Sequence, residues 1–189
     1  MPYYPPVTGP IIATSLGSVA ILGLAVPSFS LGVAIGVAKW LPQVTVSTVD
    51  TGSAGVGTGG LPFAVPQPLL LGFLQVAFTS MGIIGVMAPL KVLGLANGLA
   101  STLAMAAIST THTGVGTGTG IARFSGPPAG PSIILGLSEV GMTGPGTVRI
   151  GNAIGMGLTN AVLAYTVSVP IVGSASPISA FGTGVGKIL

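Results

Sequence analysis

Apolar runs along this chain are long, and they are punctuated by proline and glycine rather than by charge. Leu69–Ala88 is a stretch of twenty residues without a charged side chain, set between Pro68 and Pro89. Proline suits the first turn or the outside of a helix and not its interior. The pattern therefore predicts one helix bracketed by prolines. Its small or polar residues, Gly72, Gln75, Thr79 and Gly82, recur three, four and three apart, on one helical face. An apolar helix with a small polar stripe predicts a stripe that faces another helix and an apolar surround. A second helix is predicted from Pro89 to about Ala107.

The pattern recurs. Residues 18–52 align without a gap on residues 80–114, at an offset of 62 positions. Matches include Ser18/Ser80, Gly23/Gly85, Pro27/Pro89, Gly32/Gly94, Gly36/Gly98, Leu41/Leu103 and Ser47/Ser109. A weaker third copy places Gly141, Pro145, Gly151 and Gly155 on the same series, with one extra residue after the proline. Proline-rich leads, "PPVTGPII", "PFAVPQPLLLG" and "SGPPAGPSIILG", open each copy. The reading is one repeat-built domain over residues 1–189, with units at about 5–60, 62–120 and 124–189. The expected fold is mainly α. Each unit is a proline-bent hydrophobic helical hairpin, then a short extended segment, then a Gly/Thr loop. The extended arms are the β-branched stretches "VTVSTVDTG", "AAISTTHTG" and "AYTVSVPIVG". The loops are the glycine–threonine runs after them, such as "GVGTGG" and "GVGTGTG".

Within the second helices, Gly32 and Gly36, Gly94 and Gly98, and Gly151 and Gly155 are spaced i, i+4. A glycine inside a helix costs about 1 kcal/mol relative to alanine. Three such pairs at matching places point to close helix packing, and these six glycines are the candidate packing sites.

Composition narrows the solvent. Only 4% of residues are charged, against about 25% in ordinary domains, and the mean hydropathy is +0.94. A surface so poor in charge associates with lipid or protein. Spans are short: Leu69–Ala88 just reaches the ~20 residues a bilayer core needs, Pro27 splits the first run, and Pro170 shortens Ile150–Val172. The net charge of +3 is scattered over five cations, which gives no nucleic-acid signature. The absence of cysteine excludes disulfides and thiolate metal sites. The N-terminus has no cationic region before its apolar run and does not read as a secretory signal.

Catalytic chemistry is sparse. Asp50 and Glu139 are the only acids and His112 the only histidine, so no acid–base pair or triad can be assembled in sequence. His112 occupies the repeat position of Asp50, as a turn residue bonding local backbone or as a pH-responsive or metal-touching group. "GVGTGG" at 55–60 formally fits a dinucleotide fingerprint but lacks the βαβ context. "GTGVGK" fails the phosphate-loop spacing. No catalytic, cofactor or metal site is expected. Glu139 and Arg149 flank Pro145 and either pair across it or stand as separate rim residues. Met81, Met87, Met105, Met142 and Met156 are expected to fill gaps in the core.

The segment "GMTGPGTVRIGNAIGMGLTNAVL" with "IVGSASP" and "GTGVGKIL" resembles small apolar glycine-rich virion proteins of tailed bacteriophages, over roughly residues 138–189. The resemblance implies a non-enzymatic structural component of the tail, baseplate or delivery machinery. The expected partners are copies of itself, other virion proteins and, during genome delivery, the host membrane. The resemblance carries over no site residues. An integral membrane channel or transporter subunit built on repeated broken helices is the other expectation.

Overall fold

The computed structural model describes residues 4–43, 45–51, 54–60, 67–104, 107–113, 117–125, 129–163, 167–172 and 181–187. Side chains are described for 4–43, 67–102, 104 and 129–160. The proline-rich stretches 61–66 and 126–128, Met105 and parts of the glycine runs lie outside the described residues.

Six helices carry most of the described residues: α1 (Pro5–Ser18), α2 (Val26–Trp40), α3 (Gln67–Ser80), α4 (Ala88–Ala104), α5 (Ala129–Glu139) and α6 (Pro145–Leu163). The fold is mainly α. Each helix has a proline in its first turn: Pro5 and Pro6, Pro27, Pro68, Pro89, Pro131 and Pro145. There the missing N–H costs nothing, because the first helical donors have no intrahelical acceptor. Every helix packs on its neighbours in sequence, and α6 packs back on α1, so the six close into an antiparallel ring. At 1.5 Å per residue the helices are about 16–28 Å long. Inside the ring lies one apolar core that includes Ile12, Leu16, Val33, Trp40, Leu70, Leu74, Leu95, Ile133, Leu137 and Ile154.

Strands leave the other end of the ring in pairs. β1 (Thr45–Thr51) and β2 (Ala54–Gly60) follow α2 through a 3-10 turn at Leu41–Gln43; β3 (Ala107–Thr113) and β4 (Thr117–Ser125) follow α4; β5 (Val167–Val172) and β6 (Phe181–Lys187) follow α6. They form a closed antiparallel barrel, sealed where β1 pairs with β6 from Thr45↔Lys187 to Thr51↔Phe181. This corrects one expectation: the Gly/Thr runs 54–60, 117–125 and 181–187 are strands, not loops. Glycine is a poor strand former by itself. Here each glycine-rich strand pairs on both sides with a neighbour, and β-branched residues of β1, β3 and β5 supply many of those partners, as in Val49↔Thr58 and Gly120↔Val169. The β5–β6 seam is the shortest, two positions at Ile171↔Gly184 and Val172↔Thr183. Pro170 of β5 has no N–H to give a ladder.

The helix expected over Leu69–Ala88 is also corrected. It ends at Ser80, and residues 81–87 form a turn. The reason is local. Gly82 takes φ 72°, the left-handed conformation that closes helices. Ile83 N–H then bonds the Phe78 carbonyl at 2.9 Å, and Gly82 N–H bonds the Thr79 carbonyl at 3.0 Å. The other two hairpin turns are built alike: Ile21 N–H donates to Leu16 O and Met142 N–H to Leu137 O, each at 3.0 Å. Ala20 (φ 58°) and Gly141 (φ 81°) hold the left-handed position there. In all three the residue after it packs against the core, as the hydrophobic residue of such caps does. Ile150–Val172 is likewise not one helix, since α6 stops at Leu163 and β5 begins at Val167.

The polar stripe of α3 faces outward, not toward a neighbour. Gln75 and Thr79 are exposed and nothing stands within 4 Å of a Cβ built at Gly72. Leu70, Leu74, Ala77 and Phe78 form the inner face. The apolar surround is thus the core of the chain's own ring.

Candidate functional site

The six candidate glycines all lie at helix contacts within the chain. A Cβ built at Gly32 meets the Phe78 ring at 3.0 Å, and one at Gly36 meets Leu74 at 2.5 Å. Both contacts join α2 to α3. At Gly94 the obstacle is the Gly136 carbonyl oxygen at 2.8 Å; at Gly98 it is the Ile133 backbone and the Ser132 carbonyl oxygen at 2.7 Å. These join α4 to α5. Gly151 and Gly155 point elsewhere, to Ile134 and Gly130 of α5 in their own hairpin. In α6 the contact with the following helix around the ring falls to Gly157, 2.7 Å from the Ile12 Cα of α1. The extra residue after Pro145 shifts which glycine meets the neighbour. Sequence spacing thus found close approach but not the face of the third pair.

These contacts build scaffold. Among the described residues, several of the most exposed large apolar side chains lie at the end of the ring where the three hairpins turn. Residues of the first two turns stand out into solvent: Leu22 is 80% exposed, Ile84 77%, Val86 96%, and Leu24 is fully exposed. Turn glycines Gly23 and Gly85, at φ 148° and 153°, let the chain reverse while aiming these side chains away from the core. The third turn, residues 140–144, is shorter and presents Thr143. Periodicity does not single out Ile84 and Val86, because Met81–Met87 is as apolar as the helix before it.

Between the second and third turns lies an apolar pit of about 460 Å³. Phe78, Leu95 and Leu137, each 2% exposed, belong to its floor. Ile84, Val86 and Met87 belong to its rim, and Phe29, Met142 and Ile150 to its walls. Phe29 and Phe78 stack obliquely with ring centroids 5.2 Å apart. Lys91 is the one charged residue in the lining, and it is exposed. A second hollow of about 320 Å³ lies beside Gln75, Thr79 and Pro89, sharing Ile83 and Ile84 with the first.

Met87 therefore lines the pit half exposed, and Met156 is 48% exposed, rather than filling the core. Met142 packs against the core. Glu139 accepts a hydrogen bond from Asn97 Nδ2 at 3.1 Å, and Asn97 Oδ1 accepts one from Gln67 Nε2 at 2.7 Å. Its partner is thus an amide on α4, while Arg149 stands exposed one turn into α6. His112 lies on β3 opposite Gly55, and Asp50 on β1 opposite Gly57 and Gly182. Both are strand residues, not turn residues. Among the described residues no group of three His, Cys, Asp or Glu is placed to hold a metal ion.

No protein-family model matches this chain, and neither curated proteins nor solved structures show significant similarity to it.

Proposed function

We propose that this chain is a non-enzymatic structural protein of a tailed-phage virion, in the tail, baseplate or delivery machinery, and that its hairpin-turn end docks on the host membrane. One observation carries the membrane part. Leu22, Leu24, Ile84 and Val86 project at one end of the molecule, on turns closed by the helix caps behind them. Exposed apolar side chains gathered at one place mark a protein or lipid contact. The virion part is supported by the resemblance of residues 138–189 and by the scarcity of charge. Its partners in the particle are copies of itself and other structural proteins. The order of two helices and two strands, met three times along the chain, supports an origin by repetition of one unit. No helix among the described residues is long and apolar enough to cross a membrane. Docking on the bilayer surface is therefore preferred to a channel of spanning helices.

Flotation with liposomes, using protein released from particles without detergent, tests this. The wild type rises with the vesicles. The double substitution Leu24→Ser and Val86→Ser lowers vesicle affinity at least about tenfold, since each removes most of a large apolar side chain from the contact. A wild type that remains a defined soluble oligomer and ignores vesicles sinks the membrane reading. Recovery only from cell membranes, never from particles, sinks the virion reading.

A further inference from the structure

We propose that the pit between the hairpin turns is an acyl-chain site, and that one chain of a phospholipid in the docked bilayer enters it with its anionic head held by Lys91. This rests on the membrane-docking reading and adds a ligand to it. The volume, about 460 Å³, lies in the range of small-molecule sites, about 300–1,000 Å³. The lining fits hydrocarbon. From Leu95 and Leu137 at the floor to Ile84 and Val86 at the rim it offers side chains without hydrogen-bonding groups, apart from Lys91. A polar or sugar-like ligand finds no directional partner there, and burying its polar groups is costly.

Position selects among apolar ligands. Two rim residues of the pit, Ile84 and Val86, are among those that stand out from the protein. When they enter a bilayer, the mouth is surrounded by hydrocarbon, and what is at hand to fill it is a lipid tail. Lys91 lies one turn into α4, behind Met87, where its flexible stem can lift the ammonium to the headgroup level. Its charge complements a phosphate. A second hollow shares Ile83 and Ile84 with the pit, which leaves further room for the tail.

The experiment titrates the full-length protein with cis-parinaric acid, a fluorescent anionic acyl chain, in detergent-free buffer. In parallel, flotation is measured on vesicles of phosphatidylcholine and phosphatidylglycerol. Ile150→Phe and Met142→Phe narrow the pit from two walls, and Lys91→Gln removes the cation at an exposed position. The expected result is saturable binding of one probe per chain. Either filling variant weakens it at least tenfold, Lys91→Gln weakens it severalfold, and all three still float and keep the wild-type melting transition. Flotation without saturable probe binding overturns the acyl site and leaves membrane docking standing. Probe binding without flotation overturns the bilayer as the source. Wild-type affinity in both filling variants, in folded protein, overturns the site. So does a change of oligomer size on filling the pit with no change in probe binding, which assigns the pit to a second copy of the chain.

Discussion

Ala20 occupies the left-handed position, φ 58°, that Gly82 and Gly141 fill in the other two turns. An L side chain pays about 1–2 kcal/mol there, and glycine gives back part of that through its freer unfolded chain. Ala20→Gly is therefore expected to stabilise the protein by about 0.5–1 kcal/mol, seen as a melting temperature raised by about 2 °C. A lowered melting temperature contradicts the cap geometry at the first turn. Ser30 makes a second residue-scale case. Its hydroxyl is fully buried in α2 without a hydrogen-bond partner among the described residues, whereas Ser15, also buried, donates to the Ile11 carbonyl at 3.0 Å. An unmet buried hydroxyl is costly. Ser30→Ala is expected to raise the denaturant midpoint, by about 1 kcal/mol in stability, and Ser15→Ala to gain less. Equal gains from the two substitutions leave the orphaned hydroxyl without energetic weight.

At the scale of elements, the α4–α5 contact is the tightest test. Gly98→Leu drives a side chain into the Ile133 backbone, where no rotamer change makes room, and is expected to cost about 3 kcal/mol or more. Gly72→Ala, into open space on α3, is expected to gain about 0.5–1 kcal/mol from helix propensity. Thermal melts of the two variants should move in opposite directions. Because the Gly98 contact is internal, its loss is a loss of folding stability before it is one of assembly. Much of the helical layer was legible in the sequence: the prolines mark where helices begin, and the glycine pairs of α2 and α4 mark where they meet. Two things were not. The break at Gly82 is invisible to a hydropathy reading, since Met81–Met87 is as apolar as the helix before it, and only the left-handed cap separates them. Nor do Gly55, Gly57 and Gly59 declare a strand, because glycine is a poor strand former by itself and their pairing on the β3 side, with His112, Thr110 and Ile108, comes from some fifty residues away. The site followed the same rule. Ile84, Val86 and Met87 stand in that turn, and a pattern that runs a helix through it gives them no distinct place.

For the whole molecule, two closures matter together. The helix ring closes through α1 against α6, and the barrel closes through β1 against β6. The apolar turns lie at one end and the barrel at the other, so the molecule has a polarity that neither layer has alone. Both closures are made by the first and last units of the chain, at the level where barrel meets ring. Lys187 ends β6 beside Thr45, and Pro5 begins α1 at the same level, as Gln67 begins α3 after β2. The fold is thus cyclic in space though the chain is linear. A circular permutant that joins residue 187 to residue 4 through a short flexible linker and opens the chain between Gly60 and Gln67 should keep the far-ultraviolet circular dichroism spectrum and a cooperative melt. An aggregated or partly helical permutant shows instead that the native order of the units is needed to reach the closed form.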